Sequence, residues 1–177
     1  MMVIQVKIAA ASTLSAVPLV YGLRSAANLE ADIQFLTQEE AVNALAAGTI
    51  DIALLSADMA CGLANTKVLA GFCIAPVKGA SSSITEEWNV AIDAPVAAVW
   101  VAREEVSPEV LDAMEEALTL GVERIYEALM VLNECPRIDD YTFLTTQIDY
   151  LFDAKKHKAL EAYWKRLKKA TAHANPG

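Results

Sequence analysis

The sequence contains little of the chemistry on which many enzymes depend. It has only two histidines, and aromatic residues make up 7% of its 177 residues. No apolar run approaches the ~18 residues that a membrane-spanning helix needs. The sequence also has no Ser-His-Asp set, no phosphate loop, no nucleotide-binding glycine fingerprint and no metal-ligand cluster. These absences argue against most hydrolases, nucleotide-dependent enzymes and metalloenzymes, and we expect no metal site.

Cysteine is scarce as well. Cys61, Cys73 and Cys135 are an odd number without CxxC or metal-type spacing, which predicts free and buried thiols. The first residues lack the charged leader and long apolar segment of a signal peptide, and they lead directly into an apolar strand. We therefore expect a cytoplasmic protein.

Basic residues are the minority in a chain of net charge −9, yet they are concentrated near its end. Residues 153–177 contain seven Lys and Arg against two acidic residues. A basic tail can bind nucleic acid or an anionic membrane. Cations in a final helix also offset the helix dipole and solvate its outer face. Because no aromatic–basic alternation or glycine-rich basic loop is present, we expect neither nucleic acid nor a membrane as a partner.

The first half of the chain reads as a β-α-β-α-β unit with short connections. Apolar strands are predicted over residues 3–11, 31–36 and 50–55, and another over residues 67–77. One helix begins near Pro18, and a second begins at the capping box of Thr37 and Glu40 and ends at Gly48. This order predicts an α/β fold with a mostly parallel sheet and helices on both faces.

The second half is predicted to be mainly helical. Residues 79–93 form a polar, serine-containing joint, and residues 94–103 form another strand. Ser107 and Pro108 begin a helix whose apolar residues recur at steps of three and four as far as Leu132. Two more helical regions are predicted, one from about Tyr141 to residue 152 and one after Asp153. We expect one domain over residues 1–177, with C-terminal helices over residues 107–170.

Hydroxyl side chains follow two neighbouring strands of this predicted sheet. Ser12, Thr13 and Ser15 follow the first strand, just before the helix that begins near Pro18, and Ser56 follows the third strand. The free N–H groups of a helix start attract anions, and ligands of open α/β sheets bind at the carboxyl ends of strands. The pattern predicts a small carboxylate ligand there. The alternative is that the hydroxyls cap helices.

The order of motifs resembles a known family, the menaquinone-biosynthesis proteins of the futalosine route and chiefly chorismate dehydratase. Four segments are similar to the motifs of that family: residues 12–19, 48–55, 95–100, and 141–144 together with 148–151. The resemblance covers most of residues 3–80 and 94–169. It implies a fold like one lobe of a type II periplasmic binding protein, located in the cytosol.

The resemblance also implies an activity and site residues. The family removes water from chorismate to form an enolpyruvyl benzoate, as a carbon–oxygen lyase that requires no cofactor. The first-loop Asn implicated in its catalysis corresponds to Ser15, and its Pro-Ser pair after the third strand corresponds to Ser56 and Ala57. The family inserts a second lobe where this chain has only residues 79–93, which is shorter than the ~50 residues of a small domain.

Two functions therefore remain open at this point. The chain is either a relative of chorismate dehydratase that binds a small carboxylate through Ser12, Thr13, Ser15, Ser56 and Ala57, or a non-catalytic solute-binding or oligomeric interaction module. A second copy in a homodimer would supply the wall that the missing lobe leaves open.

Overall fold

The structure, a computed structural model, describes residues 3–77, 83–132 and 137–174, with side chains as far as residue 170. Six strands form one sheet in the order β2-β1-β3-β5-β4-β6. The strands are Ile4–Ala10 (β1), Leu29–Phe35 (β2), Ile52–Ser56 (β3), Thr66–Pro76 (β4), Ala98–Arg103 (β5) and Ile148–Phe152 (β6).

Helices cover both faces of this sheet, as the sequence predicts. They are Val17–Ser25 (α1), Gln38–Ala47 (α2), Ala57–Ala60 (α3), Ser83–Glu87 (α4), Pro108–Glu123 (α5), Ile125–Leu132 (α6), Ile138–Thr146 (α7) and Ala154–Ala174 (α8). A single 3-10 turn, Leu14–Ala16, precedes α1. The α/β fold class is thereby confirmed.

The pairing of the strands differs from a mostly parallel sheet. β1 pairs in parallel with β2 and β3, whereas β5 is antiparallel to β3 and β4, and β6 is antiparallel to β4. The first four strands still share one direction. β3 and β4 run in the same direction but are not neighbours. β5 lies between β3 and β4 and makes both contacts antiparallel.

Alternate residues of the central strands face two apolar layers. Ile8 and Leu54 belong to the layer that contains α1 and α5, together with the fully buried Trp100. Ala53 and Leu55 belong to the opposite layer, with α2, α3 and α8. Each face of the sheet is therefore buried by its own set of helices.

The helix signals in the sequence are confirmed at two starts and one end. Thr37 and Glu40 form both hydrogen bonds of a capping box at α2, and this bonding lowers the pKa of Glu40. Gly48 ends α2 in the left-handed conformation at φ 79°. Ser107 caps α5 ahead of Pro108.

Two elements differ from the sequence-based expectation. The apolar stripe after Pro108 is not one helix, because Arg124 leaves the helical conformation and separates α5 from α6. Residues 148–152 form a strand instead of continuing a helix. Their apolar side chains alternate, and the edge of β4 supplies backbone partners that the local sequence does not reveal.

Some expectations fall outside the described residues. Cys135 and most of the serine-containing part of the joint are among them. Within the described part of the joint, α4 lies against β4 and places Glu87 and Trp88 near the β1–α1 loop. Cys61 is partly buried and Cys73 is buried, and both are free thiols.

Candidate functional site

The β1–α1 loop stands at the carboxyl end of the sheet, between the ends of β2 and β3. Thr13 is extended, and the 3-10 turn after it leads into α1. Pro18 lies in the first turn of α1, where the missing N–H of proline leaves no hydrogen bond unmade. The local sequence therefore directs Ser12 and Thr13 outward at the edge where open α/β sheets bind ligands.

A cleft of about 490 Å³ lies beside this loop. Ser12 and Thr13 line one side of it, and the ring of Phe35 from the end of β2 lines another. Apolar side chains of the loop and α1, with Leu132 from the end of α6, complete the lining. The volume falls in the ~300–1,000 Å³ range of small-molecule sites.

Arg24 supplies the positive charge of the cleft. It lies in the last turn of α1, and its guanidinium carbon is 5.7 Å from the centroid of the Phe35 ring. Within the residues that the structure describes, no carboxylate lies within ion-pair distance of Arg24. Stacking on an aromatic face leaves the edge of a guanidinium available for an anion.

Ser15 lies behind the cleft and is fully buried. Its hydroxyl donates to the carboxylate of Glu87 and accepts from the Trp88 indole N–H at 3.0 Å. The Thr13 and Ser15 hydroxyl oxygens are 3.3 Å apart. A chain of polar groups thus leads from the cleft, through Thr13 and Ser15, to Glu87.

Tyr150 of β6 closes this network from the other side. Its hydroxyl donates to the backbone carbonyl of Ser15 at 2.7 Å. Burial raises the pKa of Tyr150 well above its usual value, and the nearby charge of Glu87 acts in the same direction. Tyr150 therefore remains a neutral donor at physiological pH.

Ser56 and Ala57 lie at the end of β3, on the other side of β1 from Phe35. The Ser56 hydroxyl caps α3 by accepting from the Met59 N–H at 3.2 Å. The Ala57 N–H donates to the Ala97 carbonyl at 2.9 Å, and the Ala57 carbonyl accepts from the Trp164 indole at 2.7 Å. In the described part of the chain these residues make internal contacts, and the cleft lining does not include them.

Asp58 is the first-turn acid of α3. It accepts a 2.6 Å hydrogen bond from the Tyr163 hydroxyl of α8. Burial, followed by this hydrogen bond, raises the pKa of Tyr163 to about 12. The pair joins α3 to α8 and lies outside the cleft.

No local sequence pattern reveals the residues that give the site its charge and shape. Arg24 and Phe35 are far from the hydroxyl cluster in sequence, although each stands at the end of an element that the patterns predict. Glu87 and Trp88 belong to the joint, and Tyr150 to a segment expected to be helical. The hydroxyls alone indicated the location.

Two kinds of feature are absent from the described residues. None of their helices combines the length and the apolar character that a membrane crossing requires. Nowhere among them do three or more His, Cys, Asp or Glu side chains stand together in a way that could hold a metal ion.

Comparisons with known proteins show similarity in structure only. No protein-family model matches the sequence, and no curated protein matches it. The chain is similar to the protein AF1704 from Archaeoglobus fulgidus, with a TM-score of 0.65, 14% identity, and coverage of 95% of this chain and 98% of that one.

A second solved structure is similar at a TM-score of 0.57 and 12% identity, and 89% of each chain is covered. It is the Candida albicans CA3427 gene product, described as defining a new family with the generic periplasmic binding protein structural fold. At identities this low, the similarity supports a shared fold and no shared function. The chain has a periplasmic-binding-protein-like fold.

Proposed function

We propose that this protein binds a small carboxylate in the cleft between the β1–α1 loop and the end of β2. The observation that carries the proposal is the Arg24 guanidinium. It has no ion-pair partner among the described residues, and it lies over the Phe35 ring. Ser12 and Thr13 line the same cleft.

Each part of the cleft has a distinct task in this proposal. Arg24 pairs with the carboxylate, because a guanidinium presents parallel N–H donors to two oxygens. Ser12 donates to the ligand's remaining polar atoms, and Thr13, whose hydroxyl proton goes to Ser15, accepts from them. Phe35 and the apolar lining cover the body of the ligand. A ring-bearing carboxylate uses all three.

We expect Arg24→Gln to weaken carboxylate binding at least tenfold, about 1.4 kcal/mol, since a charge-assisted pair is lost. The measurement is calorimetric titration of the purified protein with benzoate and with chorismate. Arg124→Gln is the matched control, because it removes the same charge from an exposed residue between α5 and α6. Equal affinities for wild type and Arg24→Gln would contradict the assignment of the site.

The second candidate function is the dehydration of chorismate, as in the family that the sequence resembles. One observation favours it: the Glu87 carboxylate is connected to the cleft through the Ser15 and Thr13 hydroxyls. Dehydration removes a proton from the ring and the hydroxyl group as water, and it yields an aromatic product without an oxidant. In this proposal Glu87 receives the ring proton through Thr13 and Ser15, and the same route returns it to the departing hydroxyl group, which leaves as water. Ser15 conducts the proton and touches no ligand.

The ultraviolet spectrum of chorismate provides a direct test of this second candidate. We expect wild type to aromatise chorismate and Glu87→Gln to lose nearly all of the rate with its circular dichroism unchanged. Glu39→Gln, an exposed acid on α2, is the control and should keep the rate. Wild-type turnover no faster than that of buffer would eliminate the lyase and leave carboxylate binding untouched.

A further inference from the structure

The helices α5 and α8, on opposite faces of the sheet, carry opposite charges. The residues of α5 include five acidic side chains and no basic one. The residues of α8 include seven Lys and Arg and one Glu. The apolar side of α5 packs in one layer and that of α8 in the other, so their charged sides point away from opposite faces of the sheet.

The charged sides are mostly free of internal partners. Five exposed lysines of α8 have no carboxylate at ion-pair distance in the described part of the chain: Lys155, Lys158, Lys165, Lys168 and Lys169. Four exposed acids of α5 likewise have no cation at ion-pair distance among the described residues: Glu109, Asp112, Glu115 and Glu123. Neither α5 nor α8 therefore has its charge neutralised by neighbouring side chains.

The two charged runs also have matching lengths. Lys155 and Lys169 mark the ends of the run on α8, and Glu109 and Glu123 mark the ends of the run on α5. Each pair is separated by the same number of residues, which corresponds to about 21 Å of helix. Two helices laid side by side could then bring each run against the other.

We propose that a second copy of this chain docks its acidic α5 face on the basic α8 face of the first. The contact is heterologous, because the two surfaces come from different parts of the chain, and each added copy presents a fresh face for the next. This inference goes beyond carboxylate binding and does not depend on it. It differs from the closed homodimer expected from the sequence, because it leaves one face free on each end copy.

A second copy fits the basic face better than a membrane or nucleic acid does. The net charge of −9 repels any large anionic surface as a whole, whereas a second copy offers a local acidic strip of the right length. The screening length decides which effect dominates. It is about 30 Å at 0.01 M salt, 10 Å at 0.1 M and 3 Å at 1 M.

The competition between long-range repulsion and short-range attraction predicts an unusual dependence of association on salt concentration. At the lowest ionic strength the net charges of two copies repel across the whole molecule. Near 0.1 M that long-range repulsion is screened while pairs in contact still attract, and near 1 M both are screened. Association should be strongest at the intermediate concentration.

The test is the mass of the full chain by light scattering and sedimentation, over a protein concentration series at these three ionic strengths. The mass should rise above the 19.0 kDa of one chain at the intermediate salt concentration and return to it at the highest. One variant carries Lys165→Glu and Lys169→Glu, and another carries Asp112→Lys and Glu115→Lys. All four positions are exposed, and circular dichroism checks that both variants fold.

Each variant alone should remain monomeric, because one of its two faces has lost most of its net charge. An equimolar mixture should form pairs, since the unchanged acidic α5 of the first variant can dock on the unchanged basic α8 of the second. Wild type that is monomeric at all three ionic strengths, or a mixture that stays monomeric, would overturn the proposal. Vesicles containing phosphatidylserine form the last arm. Wild type that sediments with them but does not self-associate would assign the basic face to lipid and would also overturn it. Calorimetric binding of benzoate is measured separately and remains a test of the cleft alone.

Discussion

Gly22→Ala and Gly121→Ala are each expected to lower the free energy of unfolding by about 3 kcal/mol or more, near the upper end for overpacking. A Cβ on Gly22 would lie 2.1 Å from the carbonyl oxygen of Ala117, and a Cβ on Gly121 would lie 2.0 Å from that of Pro18. Both obstacles are backbone atoms, which cannot turn aside as a side chain does. The helices α1 and α5 therefore touch backbone to backbone and would have to separate.

The sign of this effect is diagnostic. Helix propensity alone predicts that Gly→Ala stabilises a helix by up to about 1 kcal/mol. Urea unfolding followed by circular dichroism measures which term dominates. Thr119→Ala, at an exposed position on α5, is the control and should change the stability by no more than about 0.5 kcal/mol. A stability equal to or above that of wild type for both glycine variants would show that the helices do not approach this closely.

The same contact bears on the cleft, because α1 carries Arg24. A displaced α1 moves the guanidinium away from Phe35, which is held by β2. We therefore expect any glycine variant that still folds to bind benzoate more weakly than wild type does.

Ser15→Ala is expected to cost about 2–3 kcal/mol of stability, since it removes the acceptor of a buried indole and the donor to a carboxylate. The Trp88 N–H then has no partner in the apolar interior, and the Glu87 carboxylate returns to water. Chemical denaturation measures the loss, and the combined emission of the three tryptophans should shift with the surroundings of the Trp88 indole.

Ser12→Ala is the matched control for this prediction. Ser12 is exposed at the same loop, and its replacement should change the stability by no more than about 0.5 kcal/mol. If Ser15→Ala proved as stable as Ser12→Ala, the buried network would not hold the loop. Because Ser15 affects stability in this way, Arg24 is the better residue for testing ligand binding.

Local signals predicted much of the fold and only the position of the candidate site. The capping box at Thr37, the stop at Gly48 and the cap at Ser107 involve contacts within one or two turns, so the sequence contains both partners. Ser12 and Thr13 follow a strand that its apolar residues already define, so their place after β1 could be predicted, and their role in ligand binding stays a prediction. The roles of Ser15, Ser56 and Ala57 in ligand binding stay predictions.

Contacts between distant segments could not be predicted in this way. Residues 148–152 became a strand because β4 offered a free edge, and β5 pairs with β3 and β4, which are both distant from it in sequence. Arg24 and Phe35 meet only when α1 packs beside β2, and Glu87 reaches Ser15 from the joint. None of these pairs has a spacing that a helix or strand period would reveal.

By itself, the sequence determined the α/β class, the starts of the main helices and the position of Ser12 and Thr13 at the end of the first strand. These follow from side-chain periodicity and from hydrogen bonds between near neighbours. The tertiary structure alone decided the strand order, the place of the Arg24 charge over an aromatic ring, and the placement of acidic α5 and basic α8 on opposite faces of the sheet. Those features depend on which segments pack together, and packing is set by the burial of the whole chain.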